Sequence, residues 1–139
     1  MSGKRTVVCE DATAWLEKQD DKSLGNIVTS LPDLSETTLP DIVAYEIWFL
    51  RTVRLILRKT RQDGYAVFYQ TDRKSKGVWV STSALVYQAA KEENIKVRWH
   101  KIVLRRDNLP SIDNLRPTYT HLICVSDKGR PGRATPDVL

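Results

Sequence analysis

Residues 26–40, NIVTSLPDLSETTLP, decide how this chain is read. A short apolar strand signal, Ile27 and Val28, runs directly into Ser30-Leu31-Pro32-Asp33. A polar, proline-containing loop follows, and then a helix start. A strand that ends in a stiff turn, presenting a hydroxyl and a carboxylate close together, has two readings. It is a plain turn, or it is an active-site loop at the carboxyl end of a parallel strand. What the rest of the chain builds around the stretch decides between them.

Upstream, Thr6-Val7-Val8-Cys9 reads as a short strand. Asp11 can cap a helix from Ala12 to Lys18, whose Trp15 and Leu16 face a core. Asp20 to Gly25 is turn chemistry, and Asn26 to Thr29 is a second strand. Downstream, Thr38 can cap a helix that tolerates Pro40 in its first turn and has Asp41 three residues on. That helix is expected to run to about Arg58, because Ile42, Tyr45, Phe49, Val53 and Ile56 recur at three- and four-residue spacing. Arg51, Arg54, Arg58 and Arg61 form a basic stripe beside it, a solvated face or a phosphate contact. Asp63-Gly64 breaks the chain. Tyr65 to Gln70 is an apolar, aromatic strand of the kind covered on both faces. Thr71 to Gly77 is a polar, basic loop, and Val80 to Glu93 a helix. Val97 to Arg106 and Tyr119 to Asp127 are two strands, joined through Asp107 to Pro117 as a hairpin with a long loop.

The order is therefore β-α-β-α-β-α-β-β. Such alternation implies an α/β fold with a mainly parallel sheet, helices on both sides and an antiparallel hairpin at its end. Residues 1–128 form a single domain and 129–139 an irregular Gly/Pro-rich tail. In open sheets of this kind ligands sit beyond the carboxyl ends of the strands. Ser30 to Asp33 lies at such an end, as do Asp11 and Gln70-Thr71-Asp72.

Composition bounds the partners. The chain has 139 residues and a formal net charge of +5, a mild preference for an anionic partner. No run of about 18 apolar residues is present, so no membrane span is expected. Cys9 and Cys124 both sit in apolar runs, which fits two small core residues in a reduced, intracellular protein, cytoplasmic or nuclear. His100 and His121 can approach one another across the final hairpin. No cysteine or acidic spacing accompanies them, and no metal site is expected.

Three stretches carry a resemblance. VVCEDATAWLEKQDDKSLGNIVTSLPD (7–33), IWFLRTVRLILRKTRQDGYAVFY (47–69), and VRWHKIVLRR (97–106) followed by RPTYTHLICVSDK (116–128) resemble successive units of the circularly permuted amino-methyltransferases. These transfer a methyl group from S-adenosylmethionine to exocyclic nitrogens of bases in DNA or RNA. The resemblance implies a Rossmann-like three-layer sandwich over roughly residues 5–128. It implies S-adenosylmethionine as cofactor, with Asp11 at the adenine. It also implies a nucleic-acid partner. Ser30 matches the first position of the catalytic tetrapeptide, whose side chain accepts a hydrogen bond from the target amino group. An exocyclic amine is a poor nucleophile because its lone pair is delocalised into the ring, and acceptors at its N–H protons favour the pyramidal form that can attack. Pro32 matches the third position and stiffens the loop.

The sequence departs from that pattern at three places. Leu31 stands where the family has its first proline. Asp33 stands where the family has an aromatic residue that stacks on the target base, an interaction worth about 1–3 kcal/mol per base. Asp33 would be an added acceptor or base, without family precedent. None of the six glycines forms a G-x-G turn after an apolar strand to approach the cofactor's carboxylate and ribose. The family places that turn later in the chain, and strands that follow it lie between the first two strands seen here. The chain is thus expected to be the amino-terminal part of a longer protein, or half of a split one, completed by a carboxy-terminal half or a second chain. Alone it is expected to bind S-adenosylmethionine weakly or not at all.

Candidate nucleic-acid contacts are Arg73, Lys74, Lys76, Arg105 and Arg106. Asp11 has a plain alternative as a helix cap. Two other functions stand beside methyl transfer: a non-catalytic methyltransferase-like binding or scaffold subunit, and a basic nucleic-acid-binding module without chemistry.

Overall fold

The periodic apolar segments define the elements of the computed structural model, which describes residues 3–104 and 118–130. In chain order they are α1 (Ala12–Glu17), β1 (Ile27–Thr29), a 3-10 turn (Leu34–Glu36), α2 (Ile42–Lys59), β2 (Ala66–Gln70), β3 (Arg73–Ser75), β4 (Val78–Val80), α3 (Thr82–Glu92), β5 (Lys96–Leu104) and β6 (Tyr119–Ser126). Four strands form one sheet in the order β1-β2-β6-β5, and β3 and β4 form a separate two-stranded hairpin. β1 pairs with β2 in parallel, whereas β6 runs against both β2 and β5. Three of the four strands therefore point the same way, with β6 inserted between two of them.

Alternation along the strands assigns the two faces of the sheet. Ala66 and Phe68 stand opposite Val125 and Ile123. All four are fully buried, in one cluster with Leu16 of α1, Tyr45, Phe49 and Val53 of α2, and Val86 and Ala89 of α3. All three helices thus bury their apolar stripes against one face. The opposite face carries Val28 beside Val67, and Tyr69 opposite Leu122. There Val28 is 75% exposed and Tyr69 37%. Two of the three layers of the expected sandwich are present among the described residues.

The long helix follows its sequence pattern. Tyr45, Phe49, Val53 and Ile56 are buried along one side of α2. Removing one such ring, as in Phe49→Ala, costs about 3–5 kcal/mol in a close-packed core. The cap differs from expectation. Asp41, not Thr38, caps α2, its Oδ1 accepting from Ala44 N at 2.8 Å. Pro40 disfavours helical backbone at the residue before it, so the helix cannot begin as early as Thr38 allows. Arg58 and Lys59 occupy the last turn, where positive charge suits the helix dipole. Lys59 is also a tether, donating to Gln19 O at 2.7 Å and Asp21 Oδ1 at 2.9 Å and so holding the turn before β1.

Other expectations are corrected. Thr6 to Cys9 is not a strand: Val7 and Val8 are 76% and 52% exposed, and Cys9 is exposed rather than in the core. β-propensity has force only where a ladder partner exists, and none lies beside this segment among the described residues. Cys124 is buried as expected, and burial pushes its thiol up to about 11. The polar loop from Thr71 to Gly77 contains a strand, β3, and its hairpin turn is Lys76-Gly77. Both turn residues have positive φ, 49° and 77°, the backbone that a two-residue hairpin loop of this type demands. The link from Asp107 to Pro117 lies outside the described residues.

Candidate active site

Ser30 leaves the carboxyl end of β1 exposed to solvent, and the next residue, Leu31, is buried. Two buried side chains from other elements hold the turn. Gln70, the last residue of β2, accepts from Leu31 N through Oε1 at 2.6 Å and donates from Nε2 to Leu31 O at 3.3 Å. Tyr45 of α2 donates its hydroxyl to Pro32 O at 2.9 Å. Burial drives the Tyr45 phenol well above its ordinary value, with Asp33 and Glu36 adding to the shift, so this hydroxyl remains a donor. The turn is therefore a fixed platform that presents Ser30.

Asp33 has both carboxylate oxygens engaged. Oδ1 accepts from Ser35 N at 2.8 Å and from Ser35 Oγ at 2.5 Å, while Glu36 accepts from Asp33 N at 3.0 Å, completing a capping box for the 3-10 turn. Oδ2 lies 2.9 Å from Arg73 Nε. That N–H is not aligned on an acceptor, so the contact is an ion pair rather than a hydrogen bond. It ties the β3–β4 hairpin to the acceptor turn.

Asp11 caps α1, its Oδ1 accepting from Thr13 Oγ1 and Ala14 N. These bonds lower its pKa, the Thr13 contact first. Asp11 and Ser30 line one cleft of about 630 Å³, with Trp15, Val28 and Trp48 among its apolar walls. That volume lies within the usual range of small-molecule sites. The cleft runs along β1, the edge strand of the sheet.

The fit of S-adenosylmethionine to these residues is partial. Apolar and aromatic walls beside the exposed Asp11 carboxylate suit an adenine ring and its amino group. Among the described residues no G-x-G turn is present for the ribose and carboxylate end, although Gly25 lines the cleft.

The expected basic contacts separate. Arg73 is turned to Asp33, whereas Lys74 and Lys76 are exposed on the hairpin. Lys74 and Asp33 border a cavity of about 150 Å³, too small for a base and its sugar. Arg105 and Arg106 lie outside the described residues. The α2 stripe is largely neutralised, with Arg54 on Glu92 and Glu93, Arg58 on Glu93, and Arg61 on Asp63.

Sequence reading missed Gln70 and Tyr45 as holders of the turn. The available signal was a polar residue at the inward position of an apolar strand, two residues beyond Phe68. It also missed a polar chain. Tyr87 Oη lies 2.9 Å from His100 Nδ1, His100 Nε2 lies 2.8 Å from His121 Nδ1, and His121 Nε2 lies 3.3 Å from Asp72 Oδ2. Asp72 is buried and also accepts from Ser81, Thr82 and Ser83. The approach of the two histidines was expected; their connection to a buried carboxylate at the end of β2 was not. No group of three or more metal-ligating side chains forms a metal site among the described residues. No described helix is long and apolar enough to cross a membrane.

This arrangement is similar to the fold of solved DNA methyltransferases. The cytosine-N4-specific PvuII DNA methyltransferase superimposes with a TM-score of 0.74 at 18% identity, over 94% of this chain and 54% of that one. A Thermus thermophilus protein assigned as a DNA modification methylase, complexed with S-adenosyl-L-methionine, matches with a TM-score of 0.65 at 18% identity, over 90% and 54%. M1.HpyAVI in complex with SAM matches more loosely, with a TM-score of 0.52 at 12% identity, over 89% and 54%. The chain spans about half the length of these structures. No family model matches the sequence, and no curated protein matches it.

Proposed function

We propose that this chain is the acceptor-loop half of an S-adenosylmethionine-dependent methyltransferase acting on an exocyclic amino group of a nucleic-acid base. The observation that carries the reading is the shared cleft: Ser30 and Asp11, from different elements, line one cavity beside the edge of β1. The cofactor supplies an electrophilic methyl group when bound. Ser30 accepts a hydrogen bond from the target N–H and favours the pyramidal nitrogen. Gln70 and Tyr45 hold the backbone that presents Ser30, and Pro32 stiffens it. Asp11 accepts from the adenine amino group. Lys74 and Lys76, with Arg105 and Arg106, contact phosphate.

A carboxy-terminal half or a second chain completes the site. It adds strands along the β1 edge, covers the face bearing Val28 and Tyr69, and brings the glycine turn. Calorimetric titration tests this division. The 139-residue chain should bind S-adenosylmethionine weakly or not at all. The full-length gene product should bind it, with Asp11→Ala lowering the affinity. Micromolar binding by the chain alone would overturn the division, and unaltered binding by Asp11→Ala would remove Asp11 from the cofactor site.

One observation favours a second reading, a methyltransferase-like scaffold without catalysis. Asp33 is engaged by Ser35 and Arg73, so the family's stacking position is occupied by a structural carboxylate. Full-length protein that binds nucleic acid but transfers no methyl group to any base would support that reading.

A further inference from the structure

We infer that the β3–β4 hairpin is a stacking platform for unpaired nucleic acid, with Trp79 as its aromatic contact. The inference rests on the nucleic-acid reading above and names the residue that takes the place of the missing aromatic.

The hairpin's register carries the first part of the case. Arg73 pairs with Val80, Lys74 with Trp79, and Ser75 with Val78. Directly paired residues project from the same face of a two-stranded ribbon. Val80 is 4% exposed and packs in the core, and Arg73 on the same face reaches Asp33. Lys74 and Trp79 therefore project from the other face, away from the core. Trp79 is 48% exposed, so much of a large indole lies in water with a lysine directly across from it. Lys76 adds a second ammonium at the tip, held with a positive φ of 49°.

Position carries the second part. The Arg73–Asp33 ion pair fixes the hairpin to the acceptor turn, three residues beyond Ser30. Trp79 leaves about half of its surface open to solvent, with Lys74 directly across from it and Lys76 at the tip. An exposed aromatic with flanking cations is the arrangement that binds single strands. Each base offers a π-face to the ring, and the phosphates on either side meet the ammonium groups. A duplex keeps its bases stacked on one another and offers the indole no face. The chemical class is thus an unpaired base with its neighbouring phosphates.

The test is fluorescence anisotropy of short end-labelled oligonucleotides with the 139-residue chain, using single-stranded DNA, single-stranded RNA and duplex DNA over a range of salt. Trp79→Ala should weaken single-strand binding about 5- to 150-fold, and Trp79→Phe should recover most of the loss. The slope of log affinity against log salt should be unchanged by Trp79→Ala and lowered by about 0.7 for each of Lys74→Gln and Lys76→Gln. Unchanged melting of the variants, expected at exposed sites, separates lost contact from lost fold. A preference for DNA or for RNA names the strand and supports the inference. Single-strand binding that Trp79→Ala leaves intact, or duplex binding of equal strength, overturns the platform while leaving the nucleic-acid reading standing. Absence of binding to every oligonucleotide also overturns the platform, and the same titration with the full-length gene product then decides the nucleic-acid reading.

Discussion

The side-chain amide of Gln70 brackets the peptide of Leu31, accepting from its N–H at 2.6 Å and donating to its carbonyl at 3.3 Å across 39 residues of sequence. Both residues are buried. Gln70→Leu leaves the Leu31 N–H and C=O unpaired away from water, which costs about 1–3 kcal/mol for each group stranded. Chemical denaturation should register a loss in that range. Amide exchange at Leu31 should accelerate well beyond the change in global stability, because the turn is released locally. Gln70→Glu should be intermediate, since one oxygen can still accept from Leu31 N while the other faces the Leu31 carbonyl.

Tyr45→Phe removes the bond to Pro32 O and keeps the buried ring. The expected cost is about 1 kcal/mol in urea denaturation, far less than the several kcal/mol of a Tyr45→Ala cavity. A Tyr45→Phe protein as unstable as Tyr45→Ala would mean that packing, not the hydroxyl, holds the turn.

The Asp33–Arg73 pair is only part-buried, with side-chain exposures of 16% and 42%. Solvent screens such a pair, and a double-mutant cycle between Asp33→Asn and Arg73→Gln should return a coupling of no more than about 1 kcal/mol. Asp33→Ala should cost about as much again through the lost cap on Ser35 N. If Asp33 also served as a catalytic base, its replacement would abolish methyl transfer in addition to this loss of stability.

The His100 imidazole is held below its ordinary pKa, first by burial and then by its neighbour His121, with Asp72 opposing. The folded state therefore takes up a proton less readily than the unfolded chain. Stability contributed by the neutral ring is complete above the unfolded value of about 6.5 and declines as pH falls from there toward the lower folded value. Facing this chain of groups are Tyr87 from α3, His121 and Tyr119 from β6, and Asp72 at the end of β2. Thermal melts between about pH 7.5 and pH 5 should show the midpoint falling, and His100→Gln should flatten the profile. Glu93 titrates in a separate window. Burial raises its pKa, but Arg54 and Arg58 outweigh that and hold it below 4.5, so its contribution is lost only at more acid pH.

Much of the fold was legible because it is periodic. Tyr45, Phe49, Val53 and Ile56 announce α2 through helical spacing, and Ala66 to Gln70 announces β2 through unbroken apolar character. The approach of His100 and His121 followed from the hairpin alone. What was not legible depends on partners distant in sequence. Val7 and Val8 have strand propensity but no ladder to join. Arg73-Lys74-Ser75 has no apolar alternation, and its hairpin is set by a Lys-Gly turn and by Val80 reaching the core. The placement of Ser30 at a strand's carboxyl end could be read from topology. The grip of Gln70 and Tyr45 on that turn could not, because a buried hydrogen bond between segments leaves no local pattern. Asp33, read as an added acceptor or base, engages Ser35 and Arg73, contacts that no local pattern announces.

The most direct measurement is methyl transfer from labelled S-adenosylmethionine to single-stranded and duplex oligonucleotides by the full-length gene product, wild type against Ser30→Ala. The expected result is label on an exocyclic base nitrogen in the wild type and at least about a hundredfold less in the variant, with the two proteins melting together. Equal transfer by Ser30→Ala would contradict the claim that this serine, at the end of β1, receives the target amine.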